Sequence, residues 1–292
     1  MKKIFNNFFK KKTKIKEEHY KNIVLPKIEK YYRTLKNENS ISFLHYGHLG
    51  DIINSLPVIK EISKSKNCNL YIQVDKEIPS HIDIKDHLFG SVYLTKNAVL
   101  KLLPLLESQS YIKKAEIYSN QKIDIDLNFF RELPINFNID SVRWYSHLTG
   151  CFPDLSKTYL EVQSHLKYKN YITIMRSLRR QNQFIDYSFL SKFKNIVFLG
   201  LENEYSDLKK KINNLEYYDS KDFLELAMII KNSKLFIGNL SFGYTIAEAL
   251  KIPRLLESSP NFPLVYPNGM NAYDFYFQNH FEILVKKILD NC

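Results

Sequence analysis

No stretch of the 292 residues approaches the roughly 20 uncharged apolar positions a helix needs to cross a bilayer, so a spanning segment is not expected. Cysteine is scarce. Cys68, Cys151 and Cys292 lie far apart, match neither a disulfide framework nor the spacing of a metal site, and read as reduced thiols of a cytosolic protein. The basic start runs into further charge and not into an apolar core, so no secretory leader is expected. Low-complexity tracts are missing as well. Apolar material is not: a hydrophobic content of 45% with 14% aromatics excludes a disordered chain, and at about 150 residues per domain the length points to two domains.

Positive charge is abundant but local. Residues 1–36 carry twelve basic side chains against Glu17, Glu18 and Glu29, a net +9 of the chain's +11. The remainder is nearly neutral, which describes a basic arm (1–40) on a globule and argues against a basic groove through the main body. Ile4, Phe5, Phe8 and Phe9 interleave with the arm's lysines at roughly helical spacing, as in a helix lying on an anionic membrane, where each lysine adds ~1 kcal/mol. A solvated arm fits the same pattern. No nucleic-acid-binding signature accompanies it, so no specific nucleic acid is expected as a partner.

After the arm, short β-rich runs alternate with helical patterns, the grammar of βαβ units and parallel sheets. Strands are predicted at 41–46, 69–75, 91–94, 115–119 and 123–127, with helices from about 51, over 97–108 and over 140–150. Pro57 is expected early in its helix, where proline is tolerated. The pattern restarts with strands at 171–175, 195–200 and 234–238 and helices at 203–214, 222–231, up to 251, and 279–290. Two α/β halves, 41–160 and 168–275, hinged near 152–168, describe the chain most economically.

Three constellations carry chemistry. The turn Gly47-His48-Leu49-Gly50-Asp51 joins a strand to a helix, where glycines admit a ligand to the backbone and free N–H groups favour negative charge. Asp51 reads either as a first-turn carboxylate or as a general base at the carboxyl edge of the sheet. His45 and His48 flank the turn as structural residues or as acid, base or donor. The second constellation is the strand-to-helix turn Gly238 to Leu250. Asn239 and Ser241 are capping residues there, Gly243 lets the helix approach the sheet, and Ser241 and Thr245 with the free N–H groups form an anion seat. Glu248, one turn on, reads as a ligand for a sugar hydroxyl or as a solvated side chain. Third, Arg176, Ser177, Arg179 and Arg180 leave a strand together, and arginine forks match phosphate oxygens. Asp124 and Asp126 spell D-x-D, which reads as two carboxylates on one side of a strand, and no metal is expected.

The segment from His45 to Ile62 resembles the N-terminal motif of the heptosyltransferase-type glycosyltransferases, and Leu226 to Leu250 resembles that family's C-terminal signature. The likeness covers about residues 41–290. It implies the GT-B architecture: two Rossmann-like domains facing across a cleft, with a C-terminal helix (276–292) packing back on the N-terminal domain. The implied activity is inverting, metal-independent transfer of a sugar from a nucleotide-diphosphate donor to a glycan or glycolipid acceptor, without a cofactor. By the same resemblance Asp51 is the base for the acceptor hydroxyl; Gly47, His48 and Gly50 beside it are expected as acceptor or loop residues. Gly238, Asn239, Ser241 and Gly243 then form the nucleotide-binding helix start, and Arg176, Ser177, Arg179 and Arg180 the phosphate loop. Leu240, Phe242, Gly243 and Thr245 depart from the family's Gly-Asn-Asp-Ser-Gly-Pro-x-His run, so the reaction class is expected and the identity of the donor is left open. An epimerase of the same fold and a non-catalytic membrane or nucleic-acid adaptor are the rival expectations.

Overall fold

The structure, a computed structural model, describes residues 16–80, 88–165, 167–260 and 265–290. Most of the basic arm, including Ile4, Phe5, Phe8 and Phe9, and also Cys292, lie outside the described residues. The chain enters through a π-helical turn, Tyr20–Val24, that runs into helix α1 (Leu25–Asn37).

The first half contains β1 (Ser40–His45), α2 (Leu49–Ser63), β2 (Asn67–Ile72), α3 (Lys96–Glu107), β3 (Lys114–Ile117), β4 (Ile125–Asp126) and α4 (Val142–Thr149). Its four strands are all parallel, in the order β3-β2-β1-β4. The register sets Phe43 against Leu70 and Ile125, so apolar side chains of neighbouring strands share a buried face. α4 ends where Gly150 takes the left-handed conformation its missing Cβ permits.

The second half contains β5 (Ile172–Met175), β6 (Ile196–Leu199), α5 (Glu202–Lys209), β7 (Leu215–Tyr218), α6 (Phe223–Lys231), β8 (Leu235–Asn239), α7 (Phe242–Leu250), β9 (Arg254–Glu257), β10 (Ala272–Phe275) and α8 (Gln278–Asp290). The sheet is again wholly parallel, in the order β10-β9-β8-β5-β6-β7. Counted within the half this is 6-5-4-1-2-3, the doubly wound Rossmann order.

The halves meet through helices. α2 packs on α7 and α3 on α6, so Ile53, Leu56, Val99 and Leu102 share one core with Leu226, Ile230, Tyr244 and Ala247. The expected hinge is strapped to both sides. Tyr159 donates its N–H to the Ala249 carbonyl, its own carbonyl accepts from the Tyr111 hydroxyl, and Glu161 pairs with Lys60 at 2.7 Å.

Four expectations are corrected. Residues 91–94 are not a sheet strand, because Ser91, Tyr93 and Leu94 direct their backbone bonds to residues 75–78 in a local antiparallel pairing. Pro57 sits at the ninth position of the fifteen-residue α2, buried in its middle. β7, β9 and β10 are additional strands. Helix α8 packs on its own half and not on the first: Phe281 stacks on Phe275 at 4.2 Å and meets Tyr187 and Phe189 at 4.9 Å. Only two residues separate α8 from β10, so its apolar face (Phe281, Val285, Ile288) falls on the nearest core. Among the described residues, no helix is long and apolar enough to cross a membrane.

Candidate active site

Open α/β sheets bind ligands outside the carboxyl ends of their strands, where the strand order reverses. The first sheet reverses between β1 and β4, and the second between β5 and β8. The three constellations found in the sequence are the loops at those two points.

At the first, β1 ends in His45, whose ring is fully buried. Its Nδ1 accepts the Gly47 N–H at 2.9 Å and its Nε2 lies 3.0 Å from the Tyr145 hydroxyl. Burial pushes this histidine down to about 3, so the ring is neutral and, accepting at Nδ1, carries its proton on Nε2. His45 therefore shapes the turn and is not a proton shuttle. A Cβ at Gly47 would lie 2.8 Å from both Asp51 Oδ2 and the His45 ring, which explains the glycine. His48 is the N-cap of α2, and its N–H donates to Asp51 Oδ2 at 3.2 Å.

Asp51 is half-buried with 18% of its side chain exposed, and Arg131 Nη2 stands 3.6 Å away. Arg131 is held over the rings of Phe130 (4.3 Å) and Tyr93 (5.1 Å) and donates to Asn128 Oδ1. The sequence reading missed it. The available signal was a cation in the 3-10 turn (Leu127–Glu132) that follows β4, the strand beside β1. The D-x-D carboxylates are engaged locally: Asp124 accepts the Ser42 N–H, and Asp126 accepts the N–H and amide of Asn128. Among the described residues no group of three or more His, Cys, Asp or Glu side chains gathers as a metal site would require.

At the second point the expected ligands divide. Arg176, expected on the phosphate, is only 4% exposed. Its Nε and Nη2 form a fork on Glu257 at 2.6 and 2.8 Å, and its guanidinium lies 4.5 Å from the Tyr187 ring. Glu257 also accepts from the Asn182 N–H and the Tyr187 hydroxyl. Arg176 is thus a buried structural cation, and β9 supplies the carboxylate that captures it. Glu248 is likewise internal. It takes Arg254 Nε at 2.5 Å, the Lys251 ammonium and the Asn268 N–H, so a ribose- or sugar-binding role is corrected to an anchor for β9.

Asn239, fully buried, accepts the Ser177 N–H at 2.9 Å and donates to the carbonyls of Ser177 and Arg179 at 2.8 Å. It ties the loop after β5 to the end of β8 and positions the arginines without itself facing the crevice. Ser177 Oγ accepts the Arg179 N–H. Gly238 and Gly243 make room for Met175: a Cβ on Gly238 would lie 2.5 Å from the Met175 carbonyl, and one on Gly243 2.1 Å from its sulfur. Thr245 returns its hydroxyl to the Phe242 carbonyl at 2.7 Å, and a Cβ on Gly50 would come within 3.4 Å of it, so these two residues join the halves.

Arg179, Arg180 and Ser241 complete the two loops at the second point. Arg180 has φ +61°, the left-handed region that a bulky residue seldom enters. Burial, and then the charge of Arg179, push its guanidinium down to about 10, while Asp51 of the other half pulls it up. The Ser241 hydroxyl is buried without a hydrogen-bond partner at the start of α7, where unpaired N–H groups and the dipole favour an anion. Two neighbouring cations and an orphaned donor thus lie at the second point, with Arg180 within electrostatic reach of Asp51.

A fold of two parallel, Rossmann-type sheets with facing switch points is the GT-B arrangement of nucleotide-sugar enzymes. In fold the chain is similar to a glycosyl transferase family 9 structure from Veillonella parvula (12% identity, TM-score 0.51, covering 86% of this chain and 89% of that one). It is also similar to ADP-heptose LPS heptosyltransferase II of E. coli (11%, 0.52, 86% and 99%) and to the E. coli heptosyltransferase WaaC with ADP (8%, 0.50, 86% and 98%). No family model and no curated protein matches the sequence. The fold is that of the heptosyltransferase-type glycosyltransferases, as the two sequence motifs imply.

Proposed function

We propose that this chain is an inverting, metal-independent glycosyltransferase that moves a sugar from a nucleotide-diphosphate donor to a glycan or glycolipid acceptor. The observation that carries this reading is the Arg179–Arg180 pair at the second switch point, opposite Asp51. Burial and the neighbouring Arg179 raise the cost of the Arg180 charge, and a diphosphate would offset it while accepting from Ser241. The solved neighbour with ADP is consistent with a nucleotide at such a crevice. Asp51 takes the proton of the acceptor hydroxyl as that oxygen attacks the anomeric carbon, and the diphosphate leaves toward the arginines. Positive charge and the α7 N-terminus stabilise the growing charge on the leaving group, and this electrostatic contribution is commonly the largest in such reactions. No cofactor takes part in this scheme.

Association with the cytoplasmic face of an anionic membrane belongs to the same reading. The described part of the basic arm exposes Lys21, Lys30, Arg33 and Lys36 together with Tyr20, Ile23 and Tyr32. The deciding experiment is a thermal-shift screen against nucleoside diphosphates and their sugars, followed by mass spectrometry with the stabilising donor and candidate acceptors. A stabilising donor and a glycosylated product are expected. Conversion of the donor with no acceptor present would establish an epimerase instead, and no stabilisation by any nucleotide would overturn the reading.

A further inference from the structure

We propose that a second groove, between α4 and the strand-connecting loop that carries Tyr266 and Asn268, is a saccharide-binding site. It encloses about 560 Å³, within the ~300–1,000 Å³ range of small-molecule sites, and shares no lining residue with the Asp51 and Arg179–Arg180 crevice. Its walls come from both halves of the chain. The Tyr266 hydroxyl donates to the Asn138 carbonyl at 3.2 Å, and Asn268 Nδ2 donates to Asp140 Oδ2 at 3.1 Å.

The lining has two chemistries side by side. Phe152 is 64% exposed and Tyr266 42%, and His147 packs edge-on against Phe152 at 5.8 Å, which steadies the ring. Asp140, Arg143 and Asn268 add planar carboxylate, guanidinium and amide groups. A pyranose matches that pairing: its axial C–H face lies flat on an aromatic ring, and its equatorial hydroxyls reach planar polar groups with two hydrogen bonds apiece. An acyl chain does not, because it would cover Arg143 and Asn268 and return no hydrogen bonds. Asp140 is buried, and desolvation pushes its carboxyl up to about 6 although the Val142 N–H and Asn268 pull it down. A carboxyl so short of water gains from ligand hydroxyls.

The groove wall is also tied to the helix that carries Asp51. Asn54, one helical turn after Asp51, donates to the Ser141 hydroxyl at 2.7 Å, and Ser141 adjoins Asp140 on the groove wall. A glycan acceptor would therefore present its reacting residue at the crevice and a neighbouring residue at the groove. That assignment of the saccharide to the acceptor rests on the glycosyltransferase reading.

The test is binding of the full chain to an array of immobilised bacterial oligosaccharides, with fluorescent ADP, UDP, GDP and dTDP analogues titrated in parallel. The wild type is expected to retain a subset of the glycans. Phe152→Ala is expected to weaken them at least tenfold, Arg143→Ala severalfold, and Phe152→Trp to restore binding, all with nucleotide affinity within twofold. Unchanged glycan binding in Phe152→Ala, no glycan retained by the wild type, displacement of the glycan by a fatty acid, or loss of nucleotide together with glycan would each overturn the proposal. Glycan binding without any nucleotide binding would leave the groove standing and overturn the transferase.

Discussion

At the mouth of the first sheet, Asp51 stands beside a cation, keeps contact with solvent and takes a backbone N–H from its own helix. At the mouth of the second, Arg176 also meets an ion of opposite charge, but inside the protein and with both Nε and Nη2 engaged on it. Both residues follow a strand, yet only Asp51 keeps its side chain open to solvent. The difference lies in the neighbouring strand. β4 is two residues long and leaves the Asp51 side open, whereas β9 carries Glu257, fully buried, into the position that closes over Arg176.

This contrast can be broken by mutation. Asp51→Asn should lower turnover by about 10²- to 10⁴-fold with donor affinity little changed, read by steady-state kinetics and nucleotide titration. Wild-type turnover would remove Asp51 as the base. Arg176→Ala should instead act on folding, costing about 3–5 kcal/mol of unfolding free energy, because it leaves Glu257 buried and unpaired. If this variant keeps full stability and loses only donor affinity, the assignment of Arg176 to the interior is wrong.

A pH profile of stability sharpens the contrast further. The buried His45 ring stays neutral down to about pH 3, whereas the unfolded chain gains that proton near 6.5. Its contribution is fully present above pH 6.5 and is lost as pH falls toward 3, about 2 kcal/mol between pH 7 and 5. Asp140 acts in the opposite direction: its raised carboxyl favours the folded state below the ordinary 3.8, and that contribution is lost as pH rises through 6. Chemical denaturation at pH 5 and 7 should show the acid limb flattened in His45→Gln. The smallest effect is expected for Ser241→Ala, about 2- to 10-fold in donor affinity, since one hydrogen bond contributes about 0.5–1.5 kcal/mol. Its melting temperature should not move, because the hydroxyl has no protein partner to lose.

Much of the fold was legible in the sequence because β1, β5, β6 and β8 are apolar runs with punctuated ends, and the turns at Gly47 and Gly238 mark where the chain reverses. β9 was not, since Arg254 and Glu257 interrupt it; their charges are neutralised by Glu248 and Arg176, residues 6 and 81 positions away. The site divides by the same rule. Residue type announced a cluster of arginines, but which of them faces ligand depends on a carboxylate that no local spacing reveals. Arg131 escaped for the converse reason: its partner Asp51 lies 80 positions earlier, and only the pairing of β1 with β4 brings them together. The direction of α8 was misjudged because an amphipathic pattern says that a helix is half-buried and not against what.

The helix seam between the halves has a bearing on rate. Interlocked side chains of α2 with α7 and of α3 with α6 hold Gly50 against Thr245 before any ligand arrives. On the proposed mechanism, folding has then already met the orientational entropy of bringing Asp51 and the Arg179–Arg180 loop together, and binding need not supply it. An enzyme built this way yields mainly by shear, one helix sliding on another, and swings little like a jaw.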